Sequence, residues 1–101
     1  MRTIVPSAEQ KQVALILHAL GHPLRVAMVA YILEHPGCIC NDLVLRFERA
    51  QATISQHLAL LREAQIIIAT HEGHTTSYCV DGQTLEYLRT ALGDLAPHDL
   101  P

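Results

Sequence analysis

The sequence predicts a mainly α domain with a small β-hairpin, in the order α-α-β-α-α-β-β-α. Three observations predict it: five runs carry apolar residues at helical spacing, one stretch near the C-terminal third turns β-branched and alternating, and capping or breaking residues stand at most boundaries. At 101 residues the chain suits one domain, read as 1–101 with an ordered core over about 8–95.

The first helix is expected over Ala8 to Leu20, with Ser7 as N-cap, Gly21 as stop and Val13, Ile16, Leu17 and Leu20 on its apolar face. Pro23 suits the first turn of a second helix ending near Glu34, whose expected buried stripe is Val26, Val29, Ala30 and Leu33. Cys38-Ile39-Cys40, fenced between Pro36-Gly37 and the capping pair Asn41-Asp42, is expected to be extended. A third helix carries Leu43, Val44 and Phe47; after Glu48-Arg49-Ala50 a fourth runs from about Gln51 to Ala64. Ile66–His71 and Thr75–Val80 flank the turn signal Glu72-Gly73 and form the hairpin. Asp81 caps a last helix with Leu85, Leu88, Leu92 and Leu95 on one side, before the chain frays at Ala96-Pro97-His98.

Composition narrows the function. Half the residues are apolar and 17% charged, which excludes disorder, and 4% aromatic content leaves few platforms for sugars or single-stranded nucleic acid. The net charge of −3 does not fit indiscriminate DNA binding, so any contact with nucleic acid is local. Between Arg46 and Arg62 the arginines 46, 49 and 62 outweigh Glu48 by +2. No signal peptide or membrane span is convincing, and the odd cysteine count with a strained C-x-C spacing argues against a disulfide scaffold; a reducing, cytoplasmic setting is expected.

The fourth helix is the informative one. At 100° per residue, Ile54, Leu58 and Leu61 share a packing stripe, while Ala52, Gln56, Ala59 and Glu63 lie opposite, flanked by Thr53 and Ser55. Small residues let a backbone approach a surface, and Gln, Ser and Thr exchange hydrogen bonds with base edges or phosphates in a major groove. A short helix, a tight turn, a second helix and a hairpin make the winged helix-turn-helix order. Candidate contacts to double-stranded DNA are Arg46, Arg49, Gln51, Thr53, Ser55, Gln56, His57 and Arg62, with His71 and His74 on the wing. A solvated amphipathic helix is the plain alternative.

In order, "ALGHPLRVAMVAYIL", "CICNDL", "ATISQHLALLREAQII" and "EGHTTSYCV" resemble the ArsR/SmtB family of bacterial winged-helix repressors across residues 12 to 95. The resemblance implies a homodimer, joined through its first and last helices, that holds a twofold operator and lets go when an inducer binds. Apolar stripes larger than one small domain buries point the same way. Two positions depart from the pattern: Ala50 stands where the family usually has a capping Ser, and Ala52 where it often has Pro.

The three cysteines suggest the inducer. In an extended segment Cys38 and Cys40 share a face, and if Ile39, Tyr78 and Val80 turn to the core, Cys79 joins them on the opposite side. Three converging thiolates suit arsenic(III) or antimony(III); zinc, cadmium or lead are the alternatives, with His35 adding a nitrogen if the ion is zinc or cadmium. Resemblance to arsenic-responsive members, which carry C-x-C at this helix start, implies the same, although their further cysteine falls at Leu43 here. The family's second site, an Asp/His set on the last helix, has no counterpart in residues 81–98. Rival readings are thiols that sense oxidants or sulfur species, buried thiols with no role, a dimeric interaction module without DNA binding, and a small zinc hydrolase, for which no general base or cleft is legible.

Overall fold

The computed structural model describes residues 2–97. Its elements are α1 (Ala8–Leu20), α2 (Pro23–Glu34), β1 (Cys38–Ile39), α3 (Cys40–Phe47), α4 (Gln51–Glu63), β2 (Ile67–Glu72), β3 (Thr75–Val80) and α5 (Gly82–Leu95). The expected order is therefore the observed one. His98, expected in the frayed end, lies outside the described residues.

Local chemistry explains most boundaries. Ser7 accepts the Gln10 N–H and Gln10 returns a bond to the Ser7 N–H, closing a reciprocal cap on α1. Pro23 opens α2 behind the N-cap His22, and Asp81 Oδ1 accepts the Gln83 N–H at 3.0 Å to start α5. The α3 start differs from expectation: its N-cap is Ile39, with Asp42 in the first turn accepting the Ile39 N–H at 2.8 Å, so Cys40 is already helical. Glu48 ends α3 in the left-handed region at φ 51°, and Ala50 leads into α4 without a side-chain cap. Gly73, at φ 62°, takes the hairpin turn with His74.

The three strands form an antiparallel sheet in the order β1-β3-β2. Cys38 pairs with Tyr78 and Ile39 with Ser77, while β2 and β3 run in register from Ile67–Val80 to Glu72–Thr75. Against this sheet α1 to α4 enclose a core in which Ile16, Met28, Ile32, Leu43, Ile54, Leu61, Ile66 and Ile67 are fully buried. Truncating such residues to Ala costs about 2–5 kcal/mol each.

Three apolar stripes differ from expectation. On α2 the buried residues are Arg25, Met28, Val29 and Ile32; Val26, Ala30 and Leu33 face outward. The stripe is rotated because Arg25 turns inward to cap the end of α1, where α1 and α2 meet at 90°. Its Nε donates to the Ala19 carbonyl at 2.6 Å and its Nη2 to the His18 carbonyl at 3.3 Å, placing a cation at the negative end of the α1 dipole. On α1 and α5, Leu17, Leu92 and Leu95 are exposed, while Val13, Ile16, Ala19, Leu88 and Ala91 carry the packing. Among the described residues no single helix is long and apolar enough to cross a membrane.

Candidate nucleic-acid interface and thiol site

Burial of Ile54, Leu58 and Leu61 fixes which side of α4 faces out. Gln51, Ser55, Gln56 and Arg62 are exposed, as are Ala52 and Ala59 between them; Thr53 is half-buried. Arg49 is exposed in the turn before α4, with its Nη1 donating to the Phe47 carbonyl at 3.0 Å. Arg46 is exposed on α3, its guanidinium carbon 5.8 Å from the centre of the Tyr31 ring. Across from α4 stands the wing. His74 is at its tip, and His71 Nδ1 shares a hydrogen bond of 2.9 Å with Thr76 Oγ1. A groove of about 350 Å³ between the two is lined by Gln51 and Ser55 on one side and His74, Thr75 and Thr76 on the other.

His57 does not join that outward face. Its Nδ1 accepts from Arg25 Nη1 at 3.2 Å and its ring lies 5.0 Å from that of His22. Helical phase explains this: His57 is next to Leu58 and one turn from Ile54 and Leu61, so it borders the packing stripe. Burial, then the Arg25 charge and His22, pushes its pKa below the usual histidine value.

The cysteines do not converge as the parity argument expects. Directly paired residues share a face of the sheet, so Cys38 lies with Tyr78, and Cys79 lies on the other face, paired with the exposed Ile68. Cys38 is buried in the core, and Cys40 departs from the strand because α3 begins there. The argument failed at two points: the register puts Cys38, not Ile39, on the face of Tyr78, which leaves Cys79 on the other side, and β1 is only two residues long, so alternation does not reach Cys40 once the backbone turns helical. His35 also stands apart, stacked on Tyr31 at 4.1 Å with Nδ1 bonded to the Tyr31 carbonyl at 3.0 Å. Among the described residues, no group of three or more His, Cys, Asp and Glu side chains is placed to hold a metal ion.

What remains is a thiol pair at the strand-to-helix junction. All three cysteines are free. Burial, with the negative charge of Asp42, pushes the Cys38 thiol above the usual range, so at neutral pH it is protonated. Cys40 Sγ lies 3.7 Å from Ser55 Oγ, joining the start of α3 to the outward side of α4. Tyr78 bounds the same groove; burial first, then Cys40, raises its phenol pKa, with Arg62 opposing. Sequence reasoning gave Tyr78 only a core position, not a place at the groove, and missed Arg25 and the Cys40–Ser55 contact. The position next to Cys79 was the available signal for Tyr78, and Arg25 gave none beyond a charge on an apolar helix.

Residues 22–69, spanning α2 through the start of β2, match the family model described as bacterial regulatory protein, arsR family. A helix-turn-helix transcriptional regulator of Methanocaldococcus jannaschii, itself uncharacterized, is 31% identical over 81 residues, covering 78% of this chain and 90% of that protein. This chain belongs to the ArsR family. It is a transcriptional regulator with a winged helix-turn-helix, in which α3 and α4 form the helix-turn-helix and β2 and β3 the wing. The transcriptional repressor SmtB of Mycobacterium tuberculosis is 32% identical over 63 residues, which cover 62% of this ArsR-family chain and 46% of that repressor. A solved structure titled a possible transcriptional regulator for arsenical resistance superposes with a TM-score of 0.70 at 29% identity, covering 78% of this chain and 81% of that one.

Proposed function

We propose that this ArsR-family regulator is a homodimeric repressor that holds double-stranded operator DNA through α4 and the wing and is released by a thiol-seeking metalloid or metal bound at Cys38 and Cys40. The observation that carries the reading is the contact of Cys40 with Ser55. A group drawing on the Cys40 sulfur acts directly beside a side chain on the outward face of α4. No long relay is needed.

The donor set bears on the inducer. Two thiols on one chain, with Cys79 and His35 held elsewhere, fit arsenic(III) or antimony(III), which accept sulfur ligands readily; a closed four-ligand zinc site finds too few donors here. When bound, such an inducer supplies bonds to sulfur that replace the thiol protons. The chain's own part is to release the Cys38 proton, which burial and Asp42 hold, and to give up the Cys40–Ser55 contact.

Dimerisation is read from α1 and α5. Val13, Ala14 and Leu17 of α1 and Ala91 and Leu95 of α5 bound an apolar groove of about 380 Å³, and Leu92 and Leu95 are 40% and 73% exposed beside it. A second copy presenting the same face covers them and sets two α4 helices on one duplex.

Fluorescence anisotropy with duplex DNA from upstream of its own gene tests the reading. Binding that weakens steeply with salt, and falls about 5- to 150-fold on adding arsenite, is expected. Binding that ignores arsenite, antimonite and cadmium alike contradicts the inducer assignment; no binding at low salt contradicts the repressor reading.

A further inference from the structure

Arg25 is a buried cation, 8% exposed, whose bonds are spent on two helix-end carbonyls and one imidazole. A guanidinium only donates, so His57 Nδ1 must be the bare nitrogen of a neutral ring with its proton on Nε2. The bond spans the fold: Arg25 stands on α2, grips the last turn of α1, and reaches the middle of the groove-reading helix α4 between Gln56 and Leu58.

We propose that the Arg25–His57 bond is a proton-operated latch that seats α4 against the α1–α2 corner, so that operator affinity falls in mild acid.

The groups facing the His57 ring leave no favourable place for a proton. From α2 comes Arg25, and from its N-cap comes His22, whose Nδ1 accepts the Leu24 N–H at 3.1 Å. From α1 come the carbonyls of His18 and Ala19, both occupied by Arg25, while the His18 side chain is in the exposed set. Protonation turns Nδ1 from acceptor to donor, so two donors and two positive charges then meet at 3.2 Å. Arg25 cannot yield by losing a proton, and it is held by α1. His57, half-buried, is the partner that moves, and it is part of α4. Its neighbours one and two positions away, Gln56 and Ser55, are on the outward face, so the seat of the helix and its DNA contacts move together.

The latch rests on the repressor reading for its consequence on DNA, and the experiment separates the two. Operator anisotropy is measured from pH 7.5 to 5.5 at fixed ionic strength for the wild type and His57→Asn, whose Oδ1 can accept from Arg25 but does not titrate. The side-chain N–H signals of Arg25 are followed by NMR over the same range without DNA. The wild type is expected to lose about 5-fold or more in affinity toward pH 5.5, with the Arg25 signals shifting as His57 titrates; His57→Asn holds a flat profile in both. Equal pH dependence in the two proteins, a flat wild-type profile, or Arg25 signals indifferent to His57 protonation overturns the latch. Arg25 signals that follow His57 in a protein that fails to bind DNA at any pH uphold the latch as a device of the fold and overturn the repressor reading instead.

Discussion

Cys38 stands directly opposite Tyr78 across the β1–β3 pair, which puts Cys79 on the reverse face of the same sheet. The thiols thus divide into a pair at the start of α3 and a separate one on the wing strand. Replacing Cys79 with Ser leaves both DNA binding and arsenite-induced release within about 2-fold of the wild type, because neither the core nor the α4 contact involves it. Replacing Cys38 with Ser keeps DNA binding and abolishes release. Side-by-side arsenite titrations of the operator complex check both.

Burial also sets Cys38 apart. Burial and Asp42 hold the Cys38 proton, so in the native protein near pH 7.5 iodoacetamide modifies Cys38 more slowly than Cys40, and the gap closes in urea. Timed alkylation with mass-spectrometric mapping reads the order. Faster modification of Cys38 than of Cys40 in the native state contradicts the burial at β1.

How much of this was legible in the sequence follows from which signals are local. Ser7, Gly21, Pro23 and Asp81 act within a turn of their own positions, and each marks a boundary in the structure. The stripe of Ile54, Leu58 and Leu61 was readable because α4 is polar elsewhere. On α2 nearly every side is apolar, so periodicity could not choose between the set containing Val26 and Leu33 and the set containing Met28 and Ile32. Tertiary partners chose: the carbonyls of His18 and Ala19, on the preceding helix across the sharp α1–α2 bend, drew Arg25 inward. The thiol geometry failed for a related reason. The β1–β3 register, which pairs Cys38 with Tyr78, is set between strands and puts Cys79 on the reverse face, while a two-residue strand followed at once by a helix gives parity too little length to reach Cys40; the Asp42 bond to Ile39 sets where the helix begins.

Stability should depend on pH through His57. Its folded pKa lies below the unfolded value of about 6.5, so the neutral ring contributes fully above that value and the contribution is lost as pH falls through the folded pKa. The unfolded chain binds more protons across this window, which makes stability rise with pH there. Urea midpoints at pH 7.5 and pH 5 should differ more in the wild type than in His57→Asn. An equal difference in the two assigns the effect to other groups.

Leu17 and Leu95 line the groove between α1 and α5, at 42% and 73% exposed. Replacing Leu17 with Glu sets carboxylates on a face that a second copy is proposed to cover, so the dimer dissociates at least about 10-fold more readily while the monomer keeps its helical content. Sedimentation velocity with circular dichroism tests this. An unchanged sedimentation coefficient places the interface elsewhere.

The contact of Cys40 with Ser55 is where inducer and DNA are proposed to compete for one helix, and an arsenite titration of the operator complex with Cys40→Ser tests it most directly. The variant should bind DNA about as tightly as the wild type and stay bound at arsenite concentrations that release the wild type. Release of Cys40→Ser at the same arsenite concentration as the wild type contradicts the account.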